Sequence, residues 1–222
     1  MIKAILFDLD GTSLDRASSL RNFIDYQYDK FHSYFNHVDK ITFKHKFIEV
    51  DHNGYVWKDK VYAELIKNFD IKHINANTLL DDYINNFCNH CVPYPNLKET
   101  LEILKTNNFK LGIITNGKYS FQYNNIKSLD IEPYMDIILV SEKENIKKPN
   151  PLIFEKAAEN LKVALCECVF IGDSFKNDYE ASRLAGMHSI YRLNNENDTH
   201  NVNNSIKNLN EIPDLIKYAN NI

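Results

Sequence analysis

The chain has 222 residues, 44% of them hydrophobic, and its 26 Lys and Arg against 30 Asp and Glu leave a formal net charge of -4. That length holds one generous domain, or a core domain carrying a smaller inserted one. An acid-leaning chain with no long basic run lacks the footprint of a nucleic-acid binder, and no stretch nears the roughly 18 apolar residues that span a bilayer; neither nucleic acid nor membrane is expected as a partner.

The N-terminus MIKAILFDLD lacks the basic region, long apolar run and small-residue cleavage site of a secretory signal, so a cytoplasmic location is expected. Residues 2–7 form a short apolar run that ends in DLDGT, where glycine permits a sharp turn, and they read as a buried strand. From about residue 14 to 92 the character changes. This stretch is dense in Phe, Tyr and His, contains Trp57, and spaces Phe23 and Tyr26, then Phe31, Tyr34 and Phe35, at helical intervals with no apolar strand run. It reads as a helical insert after the first strand, and Pro93 and Pro95 mark the return. Within it Cys88 and Cys91 bracket His90, but no second pair supplies the four ligands of a structural zinc site, and with Cys166 and Cys168 they read as reduced packing thiols.

Beyond the insert, Leu97, Leu101 and Leu104 repeat at helix spacing. Further apolar runs follow at 111–115, 136–140, 168–173 and 188–193, rich in Ile, Val and Leu as in parallel strands covered on both faces. Between them a helix is expected after Pro149-Asn150-Pro151, with Phe154, Ala157, Ala158 and Leu161 on one side, and a shorter one over 177–185. The polar, Asn-rich stretch 194–204 reads as a loop before a last helix near 209–219. Alternating strands and helices predict an α/β fold, a doubly wound parallel sheet with its ligand at the carboxyl ends of the strands.

Four motifs fall at those strand ends. Asp8-Leu9-Asp10-Gly11-Thr12 follows the first strand, and because side chains alternate, Asp8 and Asp10 project together. Two such carboxylates repel unless a cation sits between them or one is protonated. Thr115-Asn116-Gly117 supplies a hydroxyl, an amide and backbone N–H groups suited to phosphate oxygens, although alone it is a common turn. Lys147-Lys148-Pro149 precedes a helix, where an ammonium can meet phosphate; alone it is a surface basic pair. Gly172-Asp173-Ser174-Phe175-Lys176-Asn177-Asp178 places one carboxylate at a strand end and another in the next helix, for which capping is the plain alternative.

With all four motifs present in this order, the chain resembles the haloacid dehalogenase (HAD) superfamily of hydrolases, in the branch with a helical cap inserted after the first strand. The resemblance runs from about residue 2 to 193 and implies a core domain of residues 1–14 and 93–222 with a cap of residues 15–92. The segments TNGKYSFQ, SEKENIKKPNPLIFEKA and IGDSFKNDYEAS look most like members that act on nucleoside monophosphates or phosphorylated sugars.

By that resemblance Asp8 is the nucleophile that forms an aspartyl-phosphate, and Asp10 is the general acid and later the base. Magnesium is held by Asp8, the Asp10 carbonyl and Asp173. Thr115, the Asn116 N–H, the adjoining turn at Gly117 and Lys148 cradle the phosphoryl oxygens, while Ser174 and Asp178 orient the lysine and the metal neighbourhood; Lys148, directly before the proline, is preferred to Lys147. The expected activity is magnesium-dependent hydrolysis of small phosphorylated metabolites, nucleoside monophosphates first, by a monomer or homodimer. Asp10 argues against dehalogenation, and Ser13 departs from the leucine common at its position. A phosphosugar mutase, or a non-catalytic binding protein on the same fold, are the alternatives. In the cap, Arg16, His52, Trp57 and Lys60 are candidate pocket residues, although aromatics as core and charges as solvated face is the simpler reading.

Overall fold

The computed structural model describes residues 1–194, 200, 202 and 204–221. In chain order the elements are β1 (Ala4–Phe7), α1 (Arg16–Lys30), α2 (His32–Phe35), α3 (Lys40–Asp51), α4 (Lys58–Asn68), α5 (Ala76–Asn86), α6 (Leu97–Thr106), β2 (Lys110–Thr115), α7 (Tyr119–Ser128), β3 (Ile137–Val140), α8 (Ser141–Glu144), α9 (Leu152–Leu161), β4 (Cys168–Gly172), α10 (Ala181–Leu184), β5 (His188–Arg192), β6 (Ser205–Ile206) and α11 (Ile212–Asn221). The chain divides into two compact units, one of Met1–Asp15 with Pro93–Ile222, the other of Arg16–Val92.

The first unit is built on a six-stranded, wholly parallel sheet of order β3-β2-β1-β4-β5-β6. β1 lies at its centre, and all four of its residues are buried because both faces are covered. On one face Ala4 and Leu6 join Ile114, Leu139, Cys168 and Phe170 under Ile153, Phe154, Ala157 and Leu161 of α9. The neighbours align Phe7 with Ile113 of β2 and with Ile171 of β4, so the three central strands end together. Asp8, one residue further on, donates its N–H to the Ile171 carbonyl at 2.8 Å. The parallel α/β sheet foreseen from the apolar runs is present.

Three local features differ from the sequence reading. The helix expected over 177–185 begins as a π-helical turn, Phe175–Glu180, before α10, and its start is capped: the Ser174 hydroxyl accepts from the Asn177 N–H at 3.2 Å and the Asp178 carboxylate accepts from the Ser174 N–H at 3.0 Å. The last helix starts at Ile212 after a tight turn, Leu209–Glu211, with Pro213 in its first turn where a missing N–H costs nothing. The two-residue strand β6 and the helix α7 carry too weak a pattern to be read from sequence. Most of the loop expected over 194–204 lies outside the described residues.

The second unit is helical. Asp39 caps α3 and Asn75 caps α5, each accepting a backbone N–H at 2.9 Å, from Thr42 and Thr78. Its core is aromatic: Phe35 stacks on Phe43 with ring centroids 4.9 Å apart, and Phe23 meets Tyr83 edge-on at 5.2 Å. Into this core Asp51 is buried with Lys58, an ion pair completed by the Arg16 guanidinium at 3.0 and 3.1 Å. Arg16 is therefore engaged within its own unit, while Trp57 is about one-third exposed. None of the four cysteines is in a disulfide, and among the described residues Cys88, His90 and Cys91 form no metal-ligating group.

The buried pair yields a stability prediction. Asp51→Ala leaves the Lys58 ammonium, 2% exposed, without its carboxylate, and should cost about 3–5 kcal/mol in urea unfolding. Replacing both Asp51 and Lys58 by leucine should cost less than Asp51→Leu alone.

Candidate active site

The polar residues of four loops converge where β1, β2 and β4 end. Lys148, only 4% exposed, reaches in from the loop before α9, and its Nζ lies 2.6 Å from Asp8 Oδ1 and 2.6 Å from Asp178 Oδ1. Its neighbour Lys147 is exposed, so of the two lysines it is Lys148 that enters the site. The loop that carries it is held by Asn116, whose side-chain amide donates to the Lys148 carbonyl at 3.0 Å and accepts from the Lys148 N–H at 2.9 Å, beside a cis Lys148–Pro149 bond. The Asn116 side chain thus aims the lysine. At Gly117 the backbone N–H donates to the Ser141 hydroxyl at 2.9 Å, so that group closes the turn toward α8 instead of lying ready for a phosphate oxygen.

Asp8, Asp173 and Asp178 each bring a carboxylate oxygen within 4.8 Å of the others. Asp178 therefore joins the acidic cluster itself, a role not assigned to it from sequence, and also fixes the turn through the Ser174 N–H. Asp10 stands apart: its Oδ2 accepts from the side-chain amide of Gln122 at 2.6 Å. Thr115, buried, accepts from the same amide at 2.9 Å. The approach is tight. Gly11 takes φ +83°, and a Cβ there would come within 2.1 Å of Asp173 Oδ2, so glycine lets the first loop pass against the fourth. The Ser13 hydroxyl, in place of a leucine, donates to the Asp8 carbonyl at 3.0 Å and braces that loop from within.

One ammonium among three carboxylates leaves negative charge in excess, and the protonation equilibria register it. Burial, aided by Asp178 and Asp173 and opposed by Lys148, holds Asp8 well above the usual carboxylate range. Burial and then Asp178 push Asp173 up to about 7. For Lys148 burial favours loss of the proton, but Asp178 and Asp8 outweigh it and the ammonium is held above its ordinary value. Crowded, buried hard oxygens short of positive charge are a donor set that fits a divalent cation.

Sequence reasoning did not reach Gln122, Asn194 or Arg192. Asn194 donates to Asp173 Oδ2 at 2.6 Å, and Arg192 donates to the Gly11 carbonyl at 2.9 Å. Both lie at the end of β5, which gave no motif. Gln122 sits in α7, whose buried residues include polar Gln122 and Asn125, and that helix gave no pattern in the sequence from which it could have been found.

The chain matches the family model for haloacid dehalogenase-like hydrolases over residues 5–191. It is 29% identical to a glyceraldehyde 3-phosphate phosphatase of Methanocaldococcus jannaschii, the alignment covering 98% of each chain. With a phosphoglycolate phosphatase of Colwellia psychrerythraea it shares 30% identity, over 85% of this chain and 83% of the relative. A Bacillus subtilis HAD-hydrolase structure bound to magnesium superposes with a TM-score of 0.76 at 21% identity, covering 97% of this chain and 98% of that one, which shows the shared fold. The chain therefore belongs to the haloacid dehalogenase-like hydrolases and is an enzyme whose curated relatives are phosphatases.

Proposed function

We infer that this enzyme is a magnesium-dependent phosphatase of small phosphorylated metabolites, with phosphosugars and short phosphorylated acids ahead of the nucleoside monophosphates favoured from sequence. The observation that carries the chemistry is the buried Asp8–Lys148–Asp178 chain with Asp10 held separately two residues away. The change of substrate preference rests on the relatives, a glyceraldehyde 3-phosphate phosphatase and a phosphoglycolate phosphatase. We assign residues 1–14 and 93–222 to the catalytic core and residues 15–92 to a cap domain.

In this reading Lys148 holds Asp8 Oδ1 and leaves Oδ2 to attack phosphorus, giving an aspartyl-phosphate. Asp10 gives its proton to the departing oxygen and later takes one from the water that cleaves the intermediate. Lys148 and Thr115 stabilise the transferring oxygens, and Asp178 keeps the lysine charged and aimed. Magnesium, which the Bacillus subtilis neighbour binds, would be held by Asp8, Asp173 and the Asp10 carbonyl, with Asp178 adjacent. Bound there, it would supply the missing positive charge and polarise a phosphoryl oxygen. No one of these groups suffices alone, because accelerations for phosphate monoesters reach about 10²¹-fold, whereas general acid catalysis contributes roughly 10² to 10⁴ and a single oxyanion donor roughly 10² to 10³.

Phosphate release should be measured over a panel of glyceraldehyde 3-phosphate, phosphoglycolate, hexose phosphates and nucleoside monophosphates. Release with magnesium, lost on chelation and reduced at least about a thousandfold in Asp8→Asn, is expected. Silence across the panel from folded protein that still binds magnesium would sink the reading in favour of a mutase or a binding protein.

A second prediction concerns pH. Below about 7 Asp173 carries a proton that a cation must displace, and above it the carboxylate is bare. Asp178 and Asp10 beside it favour the proton, and Lys148 opposes it. The rise in Tm on adding magnesium should therefore be small at pH 5.5 and grow through pH 7 to 8, and in Asp173→Asn this growth should shrink, the part that remains coming from Asp8, whose carboxyl burial also holds high. A magnesium effect flat across this range would count against Asp173 as a ligand.

A further inference from the structure

Gln122 lies in the first turn of α7, 2% exposed, and its terminal nitrogen meets three acceptors: Asp10 Oδ2 at 2.6 Å, the Thr115 hydroxyl oxygen at 2.9 Å and the Asn116 carbonyl at 3.1 Å. A carbonyl can only accept, so the atom facing it is the amide nitrogen and not its oxygen. The oxygen is engaged on the other side by the Asn125 side-chain amide at 3.3 Å, which fixes the same orientation. The turn makes room for this side chain, since a Cβ at Gly117 would stand 2.9 Å from Gln122 Cγ. A buried amide so surrounded has one orientation, and its N–H groups point at the acid and at the phosphate loop together.

We propose that Gln122 is a positioning residue for the acid–base step: its N–H occupies Asp10 Oδ2 and so assigns the transferable proton to Oδ1. An oxygen that accepts an N–H through a short hydrogen bond is the bare oxygen of the carboxyl group, and the proton sits on the other. As the bond between phosphorus and the leaving oxygen breaks, its electron pair passes to that oxygen, which takes the Oδ1 proton. Asp10 is left as a carboxylate still held through Oδ2. When water attacks the aspartyl-phosphate, Oδ1 takes a proton from it and the starting state returns with Asp8 released. Because Gln122 also holds Thr115 and Asn116, it registers the acid against the loop that receives the phosphoryl group, and a proton donor displaced by an ångström loses much of its effect.

The proposal rests on Asp10 as the acid, and the test separates the two. Wild type, Asp10→Asn and Gln122→Leu are compared on the fastest alkyl phosphate of the panel and on 2,4-dinitrophenyl phosphate, whose leaving group departs without a proton. Gln122→Leu should lower the first-turnover rate of leaving-group release from the alkyl ester, which reads formation of the aspartyl-phosphate alone, about 10- to 100-fold with KM within about threefold, and that from the dinitrophenyl ester less than about threefold; Asp10→Asn should show the same selectivity with a larger loss. Gln122→Asn, which keeps an amide but withdraws it by one methylene, should repeat the pattern and covers the case in which leucine impairs folding. Equal losses on both esters, a change confined to KM, or no loss would overturn the role of Gln122. Equal losses in Asp10→Asn would instead remove Asp10 as the acid, and no alkyl phosphatase activity in the wild type would remove the phosphatase reading itself.

Discussion

The first unit is organised around one buried ammonium. Lys148 lies between Asp8 and Asp178, each 2.6 Å away, on loops that follow β1 and β4. Burying such a group is costly unless its hydrogen bonds and charge are met, and here two carboxylates meet both. The arrangement requires three chain segments distant in sequence to arrive at one point. A parallel sheet provides that: with Phe7 in register with Ile113 and Ile171, the loops after β1, β2 and β4 emerge side by side. Asn116, after β2, then grips the backbone of Lys148 from both sides. The lysine is placed by the main-chain geometry of its neighbours as much as by its own side chain.

The strands were legible because both faces of this sheet are covered, which turns each into an apolar run with little alternation. The Asp8–Asp10 pair was legible as a motif, but β1 ends at Phe7 and the two carboxylates meet different partners, so the shared side expected from period-two alternation is not what places them. What was not legible arises from approach in space. Asn116 reads as a phosphate-binding amide in its motif, yet its side chain serves Lys148; Gly117 reads as a donor, yet its N–H goes to Ser141. Asp178 reads as a helix cap or, by family likeness, as a residue that orients Lys148; it contacts that lysine and is also a member of the acidic cluster. The choice between Lys147 and Lys148 rests on family likeness in the sequence, and burial separates them in the structure, where Lys147 is exposed and Lys148 is buried.

The helical unit shows the opposite balance. Its aromatic spacing foretold a core of rings, and Phe23, Phe35, Phe43 and Phe47 are fully buried. Its charges could not be sorted in the same way. Arg16, a candidate for a second anion, is committed to Asp51, and Lys58, which carried no signal, is among the most buried side chains of the chain. A charge run in sequence is usually a solvated face, and the exception depends on a partner 35 positions away.

The two carboxylates of the DLD motif follow the same strand but do not share an environment, and that asymmetry underlies the two roles proposed for them. Asp8 faces an ammonium and two further carboxylates in a buried cluster, so its ionisation is governed by charge: Lys148 and any divalent cation favour the carboxylate, burial and its acidic neighbours the acid. Asp10 faces a neutral amide, Gln122, which offers direction without net charge. A cation beside a carboxylate prepares a nucleophile, and a neutral donor on one oxygen leaves the other able to carry a proton. The contrast between the two environments, Lys148 from the loop before α9 with the carboxylates after β4 on one side and Gln122 of α7 on the other, is what supports the proposed division between attack and proton transfer.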